Sequence, residues 1–276
     1  VPHPVPNVLT IAGVDPSGGA GALADVKAIS ALGGYACAVI TALTAQNTRV
    51  VAGVFPVSPA FVREQIDVLL ADVRVHSTKI GMVGRAPVIE TVAERLVHWR
   101  IFPVVLDPVM VAKSGDPLLD ASAVGALREA LLPQATVITP NLPEAGVLLE
   151  GRAPESVKEM HRAAEKLRQL MPSDAGRWVL LKGGHLPGGE ALDVLHDGDR
   201  MIEMSAVRVD TRNTHGTGCT LSAALAALLP QSSDVPSAAR RAKNYLTEAL
   251  RHADELAVGT GHGPVHHFHA LWKAPS

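Results

Sequence analysis

The stretch Asn213-Thr-His-Gly-Thr-Gly-Cys219-Thr-Leu-Ser-Ala-Ala-Leu decides how this chain is read. Small residues and glycines run straight into an apolar, alanine-rich segment, so a helix is expected over 217–229. A helix start leaves its first backbone N–H groups unpaired and carries a partial positive charge, which makes it an anion site. Glycines let that backbone approach the anion closely. Cys219 stands at the mouth of this site, in surroundings expected to lower its thiol pKa.

Outward from that run, short β-branched segments alternate with longer helical ones. Strands are expected over 7–12, 35–43, 78–82, 103–106, 136–139 and 178–181. Helices are expected over 21–32, 58–71, 87–100, 122–132, 142–149, 155–170 and 236–256. Such alternation implies α/β architecture: a mainly parallel, doubly wound sheet with helices on both faces. The segment 191–207 alternates differently, and Asp197-Gly198 suggests a hairpin turn there. No linker or repeat divides the chain, so residues 8–276 are expected to form one domain after a flexible lead-in over 1–7. Ligands of doubly wound sheets gather beyond the C-terminal strand ends, and polar motifs follow directly on several of these strands.

The 276 residues are 47% hydrophobic and 19% charged, as suits a large buried core. The core is aliphatic, since aromatics make up only 3%. A net charge of −2 gives no long-range pull on nucleic acid or anionic membrane, so neither is expected as a partner. No apolar run approaches a membrane span. The two cysteines, Cys37 and Cys219, suit free thiols in a reducing cytoplasm rather than a disulfide.

The glycine-rich run has companions: Gly13-Val-Asp15-Pro-Ser-Gly-Gly-Ala-Gly21, Thr41-Ala-Leu-Thr-Ala-Gln46-Asn-Thr48, Lys79-Ile-Gly-Met82, and Leu106-Asp107-Pro-Val-Met110 with Lys113-Ser-Gly-Asp116. Thr139-Pro-Asn141-Leu-Pro-Glu144, Lys182-Gly-Gly-His185 and Gly263-Pro-Val-His-His-Phe-His269 complete the set. The first lacks the Gly-Lys-Ser/Thr ending of a Walker loop and fails the dinucleotide fingerprint. In this order and spacing, from about Leu9 to Trp272, the set resembles the ribokinase-like superfamily. Within it, the chain is similar to the bacterial hydroxymethylpyrimidine/phosphomethylpyrimidine kinases of thiamine synthesis.

The resemblance implies an acceptor pocket formed by Gly13 and Ala20 against the pyrimidine, with Asp25 nearby and Met82 and Val109 as further walls. It makes Gln46 the residue that recognises the ring, a role its amide suits by offering a donor beside an acceptor. Asn141 and Glu144 match the superfamily's Asn-x-x-Glu, which with Asp107 organises Mg²⁺; the same pair has the spacing of a helix capping box. Lys182 is expected to neutralise ATP phosphate charge while Gly183 and Gly184 make room for the nucleotide. Lys243 is a weaker nucleotide candidate, with a solvated helix face as its alternative. Gly216, Thr217, Gly218 and Cys219 would cradle the transferring phosphoryl group. Many ribokinase-like sugar kinases end this run in an aspartate base; here, as in the hydroxymethylpyrimidine branch, it is Cys219 that would take the proton.

The implied activity is ATP-dependent phosphorylation of 4-amino-5-hydroxymethyl-2-methylpyrimidine to its monophosphate and then its diphosphate. Two alternatives stay open: a pyridoxal/pyridoxine kinase of the same fold, and a sensor that binds pyrimidine or nucleotide without turnover. Relatives suggest a homodimer. Lys113-Ser-Gly-Asp116 is a candidate flap. His262, His266, His267 and His269 fit no standard zinc spacing and are expected to be structural.

Overall fold

A computed structural model describes residues 5–110, 121–174 and 176–272; the expected flap at Lys113 to Asp116 lies outside them. Among the described residues nine strands make one sheet in the order β3-β2-β1-β4-β5-β6-β7-β8-β9. Six central strands run parallel: β1 (Asn7–Val14), β2 (Tyr35–Gln46), β4 (Ser77–Ile80), β5 (Val104–Leu106), β6 (Val137–Ile138) and β7 (Trp178–Lys182). Three antiparallel strands flank them: β3 (Val51–Pro56) at one edge, and the hairpin β8 (Glu190–His196) and β9 (Met201–Val207) at the other.

Parallel strands covered on both faces must be apolar on both, and these are. Val8, Leu9, Ile11 and Ala12 in β1 are fully buried. Successive side chains of β5 and β7 alternate between two cores: Val104, Leu106, Val179 and Leu181 face one, Val105, Trp178 and Leu180 the other. The first core is closed by α2 (Pro59–Leu70), α3 (Ala86–His98), α5 (Leu142–Leu148) and α6 (Val157–Gln169). α4 (Ala121–Ala126) joins this layer through a π turn over Leu127–Leu131. The second is closed by α1 (Gly21–Ala31), α7 (Thr217–Leu228) and α8 (Val235–Arg251). The alanines of α7 explain its central place: Ala223, Ala224, Ala226 and Ala227 are fully buried, and small side chains let it lie close to the sheet. Ser77 Oγ of β4 donates to the Ala226 carbonyl at 2.6 Å, locking helix to strand.

Several boundaries differ from those read in the sequence. β2 continues to Gln46 because β3, an unexpected strand, pairs with its end; β3 alternates in exposure and leaves Phe55 70% exposed, so it carries no core signal. The β8–β9 hairpin turns at Asp197-Gly198 as expected, and its connection through 197–200 is closed by Asp197 Oδ1, which accepts from the backbone N–H groups of Asp199 and Arg200. The last helix ends at Arg251, and a short 3₁₀ turn, Ala253–Glu255, follows. At the other terminus Pro6 and Asn7 are held: the Pro6 carbonyl accepts from Tyr35 N–H, and Asn7 N–H donates to His76 Nδ1.

Candidate active site at the start of the alanine-rich helix

Helix α7 is capped by Gly216, whose φ of 75° lies in the left-handed region that glycine adopts freely. A Cβ there would strike the Gly19 carbonyl, so two glycine-rich loops meet at backbone contact. The first-turn N–H groups of α7 open beside a charged cluster. A Cβ on Gly218 would lie 3.3 Å from Lys182 Nζ and 3.6 Å from Asp107 Oδ2, so those side chains sit directly against the cradle.

Asp107 follows β5 and is 1% exposed. Its Oδ1 accepts from Lys182 Nζ at 2.9 Å and from Thr139 Oγ1 at 3.0 Å, and its Oδ2 from Ser222 Oγ at 3.2 Å. Burial works against the charged carboxylate, but Lys182 and Lys79 outweigh it and hold Asp107 below the usual range. Lys182 ends β7, and its backbone N–H donates to Pro140 at 2.9 Å, which registers it beside Asn141. Asn141 caps α5 in a reciprocal box: its Oδ1 accepts from Glu144 N–H at 2.9 Å while Glu144 Oε2 accepts from Asn141 N–H at 2.7 Å. Burial, then the Asp107 charge, push the Glu144 carboxyl up to about 7 against the pull of Lys182. Two carboxylates sharing one lysine in a closed site suit a divalent cation. Magnesium prefers oxygen ligands and keeps several waters, so few protein carboxylates are needed to hold it.

Cys219 overturns one expectation. Burial raises its thiol to about 11, with Asp25 and Asp107 adding to the rise, while Lys79 and the nearby Gly21 backbone oppose it. The helix start does not offset burial, to which two nearby carboxylates add.

The residues expected to form the acceptor pocket are tied to one another and to the start of α7. Gly13 N–H donates to the Met82 carbonyl at 3.2 Å, Thr41 Oγ1 donates to the same oxygen at 2.6 Å, and a Cβ on Gly13 would collide with the Met82 methyl. Thr44 Oγ1 contacts the Val14 carbonyl at 2.9 Å and Gln46 Oε1 at 3.1 Å, so the end of β2 is anchored to the loop after β1. Val14 bridges to Gly21, whose backbone lies beside the Cys219 thiol. Ala20 is the N-cap of α1, and Val109 N–H bonds the Asp107 carbonyl at 2.8 Å.

Two residues are taken up by internal ion pairs. Asp25 has no exposed surface; its oxygens take Lys79 Nζ at 2.9 and 2.8 Å and Thr10 Oγ1 at 2.6 Å, and the pair lies close enough to Cys219 to act on its thiol. Lys243 is neither solvated nor free for phosphate. It is 6% exposed, with Nζ on Asp193 Oδ2 at 2.7 Å and the Ala191 carbonyl at 2.8 Å, and Asp193 Oδ1 in turn accepts from Gly183 N–H. In the histidine-rich tail, His267 Nε2 meets Thr220 Oγ1 at 3.0 Å, and burial pushes its ring down to about 3, so it stays neutral.

Three residues that the sequence reading left without a role also shape the site: Lys79, Asp15 and His215. All stand inside the quoted motifs, and a charged residue inside a buried strand (Lys79) or a histidine among glycines (His215) was the available signal.

The chain matches the phosphomethylpyrimidine kinase family over residues 15–266. The hydroxymethylpyrimidine/phosphomethylpyrimidine kinase of Escherichia coli (strain K12) is 53% identical over 266 residues, 96% of this chain and 98% of its own. Among solved structures, the ADP complex of Bacillus subtilis pyridoxal kinase has a TM-score of 0.86 at 34% identity, over 95% of this chain and 97% of that one. The phosphomethylpyrimidine kinase of Clostridium difficile 630 has a TM-score of 0.77 at 38% identity, over 89% and 99%. The sheet and its neighbours are ribokinase-like, and the chain belongs to the phosphomethylpyrimidine kinase family.

Proposed function

We propose that the protein moves the γ-phosphoryl group of ATP to the hydroxymethyl oxygen of 4-amino-5-hydroxymethyl-2-methylpyrimidine, and then moves a second one to the monophosphate. The observation that carries this is the placing of Lys182 and Asp107 against Gly218 at the start of α7. Phosphoryl transfer asks for positioning and charge stabilisation, and this cradle offers N–H donors, a helix start and a fixed cation. A nucleotide is supported by the related pyridoxal kinase solved with ADP. Asp107 and Glu144 would hold Mg²⁺, which supplies charge neutralisation on the phosphates. Two free cysteines suit a reducing cytoplasm, and no described helix is long and apolar enough to cross a membrane.

In each step the P–O bond to ADP breaks as a bond to the acceptor oxygen forms. The two acceptors differ in their need for a base. The alcohol must shed a proton during transfer, and Cys219, in its thiolate form, would receive it. The monophosphate already carries charge near neutral pH, with a second pKa of about 6. Cys219→Ala is therefore expected to lower kcat for the alcohol about 10²-fold and for the monophosphate less than about 10-fold. Equal losses for both acceptors would remove the base role.

Gln46 tests the acceptor. Gln46→Ala deletes a paired donor and acceptor, each worth about 1–2 kcal/mol when buried against a partner. The expected result is a fall of about 10–100-fold in kcat/KM for the pyrimidine with KM for ATP unchanged. A second reading, pyridoxal kinase, draws on the 0.86 TM-score of the Bacillus subtilis enzyme. Side-by-side kcat/KM values decide, and the pyrimidine is expected to win; a preference for pyridoxal would transfer the assignment.

A further inference from the structure

We propose that His215 and Asp15 form a positioning pin that fixes the acceptor loop against the phosphate cradle and so sets the transfer rate. The proposal rests on the kinase reading above and adds two residues to it. His215 Nε2 meets Asp15 Oδ2 at 2.7 Å across 200 positions of sequence, and the two residues are 7% and 3% exposed.

Asp15 organises the loop that holds the acceptor. Its Oδ1 accepts from Ser17 N–H at 2.8 Å, and its Oδ2 accepts from Ser17 Oγ at 2.9 Å and Ala20 N–H at 3.1 Å as well as from His215. His215 immediately precedes Gly216, the cap of the cradle, and its own N–H donates to the Gly263 carbonyl at 3.0 Å. One residue thus joins the acceptor loop through its ring, the C-terminal segment through its backbone N–H, and the cradle through the chain itself. Space at the junction is minimal: a Cβ on Gly19 would run into the His215 ring, and one on Gly216 into the Gly19 carbonyl.

Two geometric consequences follow. Ala20, a wall of the expected acceptor pocket, is bonded to the same carboxylate oxygen that His215 holds, so moving His215 moves the wall relative to 216–219. Gly21, next along, has its backbone beside the Cys219 thiol, so the same shift also disturbs the proton acceptor. A misplacement of about 1 Å between reacting groups costs about 10²-fold in rate, while each ligand held by its own loop keeps its affinity. Neither residue is placed on the reacting atoms; both act through the loops they join. The loop has other ties, Asp15 to Ser17 and Lys27 Nζ to the Gly18 carbonyl at 2.8 Å, so losing the pin loosens the loop without removing its fold.

The test compares wild type, His215→Ala, His215→Gln and Asp15→Asn in the full chain. It reads kcat, separate Kd values for ADP and the pyrimidine alcohol by calorimetry, and amide exchange at Ser17 and Ala20. His215→Ala is expected to lose about 10²-fold in kcat with each Kd changed less than about 3-fold. His215→Gln, whose amide nitrogen can donate to Asp15, is expected to recover at least about 10-fold of that loss. An unchanged kcat, a loss confined to Kd, or a glutamine no better than alanine would each overturn the pin. Should the alanine variant not fold, Asp15→Asn, which keeps the shape of the carboxylate, carries the same reading. If the wild type turns over no pyrimidine, the acceptor assignment fails and the pin is judged on exchange alone. There, His215→Ala must speed exchange at Ala20 by about 10-fold or more, and an unchanged rate sinks it.

Discussion

Lys182→Met is expected to lower kcat for both acceptors by about 10²–10³-fold, the cost of removing one preorganised charge from a transition state. The same change leaves Asp107, 1% exposed, without its 2.9 Å partner. Breaking a buried pair from one side costs about 3–5 kcal/mol. The sign with pH follows from the carboxyl. In the wild type Asp107 titrates below its ordinary value of 3.8, so the pair's contribution is present above that pH and is lost as pH falls through the lowered folded value. Without Lys182, burial becomes the dominant influence and the folded pKa rises above the ordinary value. Stability then drains away as pH climbs through it, so the Tm deficit of Lys182→Met should widen from pH 4 to pH 8. Adding Asp107→Asn should restore much of the Tm and none of the rate. A double variant that recovered kcat would mean that Lys182 serves only the fold and that Asp107 holds no metal.

The second large effect is expected at Gly216. Gly216→Ala places a Cβ at φ 75°, a left-handed conformation costing about 1–2 kcal/mol for an ordinary residue. The larger cost is collision with the Gly19 carbonyl, a backbone atom that yields only if the acceptor loop moves. Loss of at least about 10³-fold in kcat/KM is expected, because cradle and acceptor loop shift together. Gly84 is the control: its φ is 76°, and a Cβ there meets nothing within 4 Å. Gly84→Ala should cost about 1–2 kcal/mol of stability and leave kcat near wild type. Equal kinetic damage from both would show that the left-handed backbone, not the meeting of the loops, is what matters.

What could be read from sequence was whatever obeys a local rule. The buried run in β1, the capping box at Asn141 and Glu144, and the alanine-rich α7 announce themselves because periodicity and helix-end chemistry are short-range. β3 did not, because an edge strand with exposed Val54 and Phe55 lacks an apolar face to reveal it. Long-range pairing was equally hidden. Lys243 looked like one more lysine on an amphipathic helix until Asp193, 50 positions away, was found holding it. Asp25 matched the acceptor motif yet spends its charge on Lys79. The environment of Cys219 reverses its expected shift for a related reason: helix-start reasoning counts one field, while the folded site sums Asp25, Asp107, Lys79 and burial.

The most direct measurement follows phosphorus by NMR as the protein is given ATP, Mg²⁺ and the aminopyrimidine alcohol. The monophosphate resonance should grow first, and a diphosphate pair should then replace it at the expense of ATP. ATP consumed at one rate with or without the alcohol, or an alcohol left unchanged after prolonged incubation, would contradict the account.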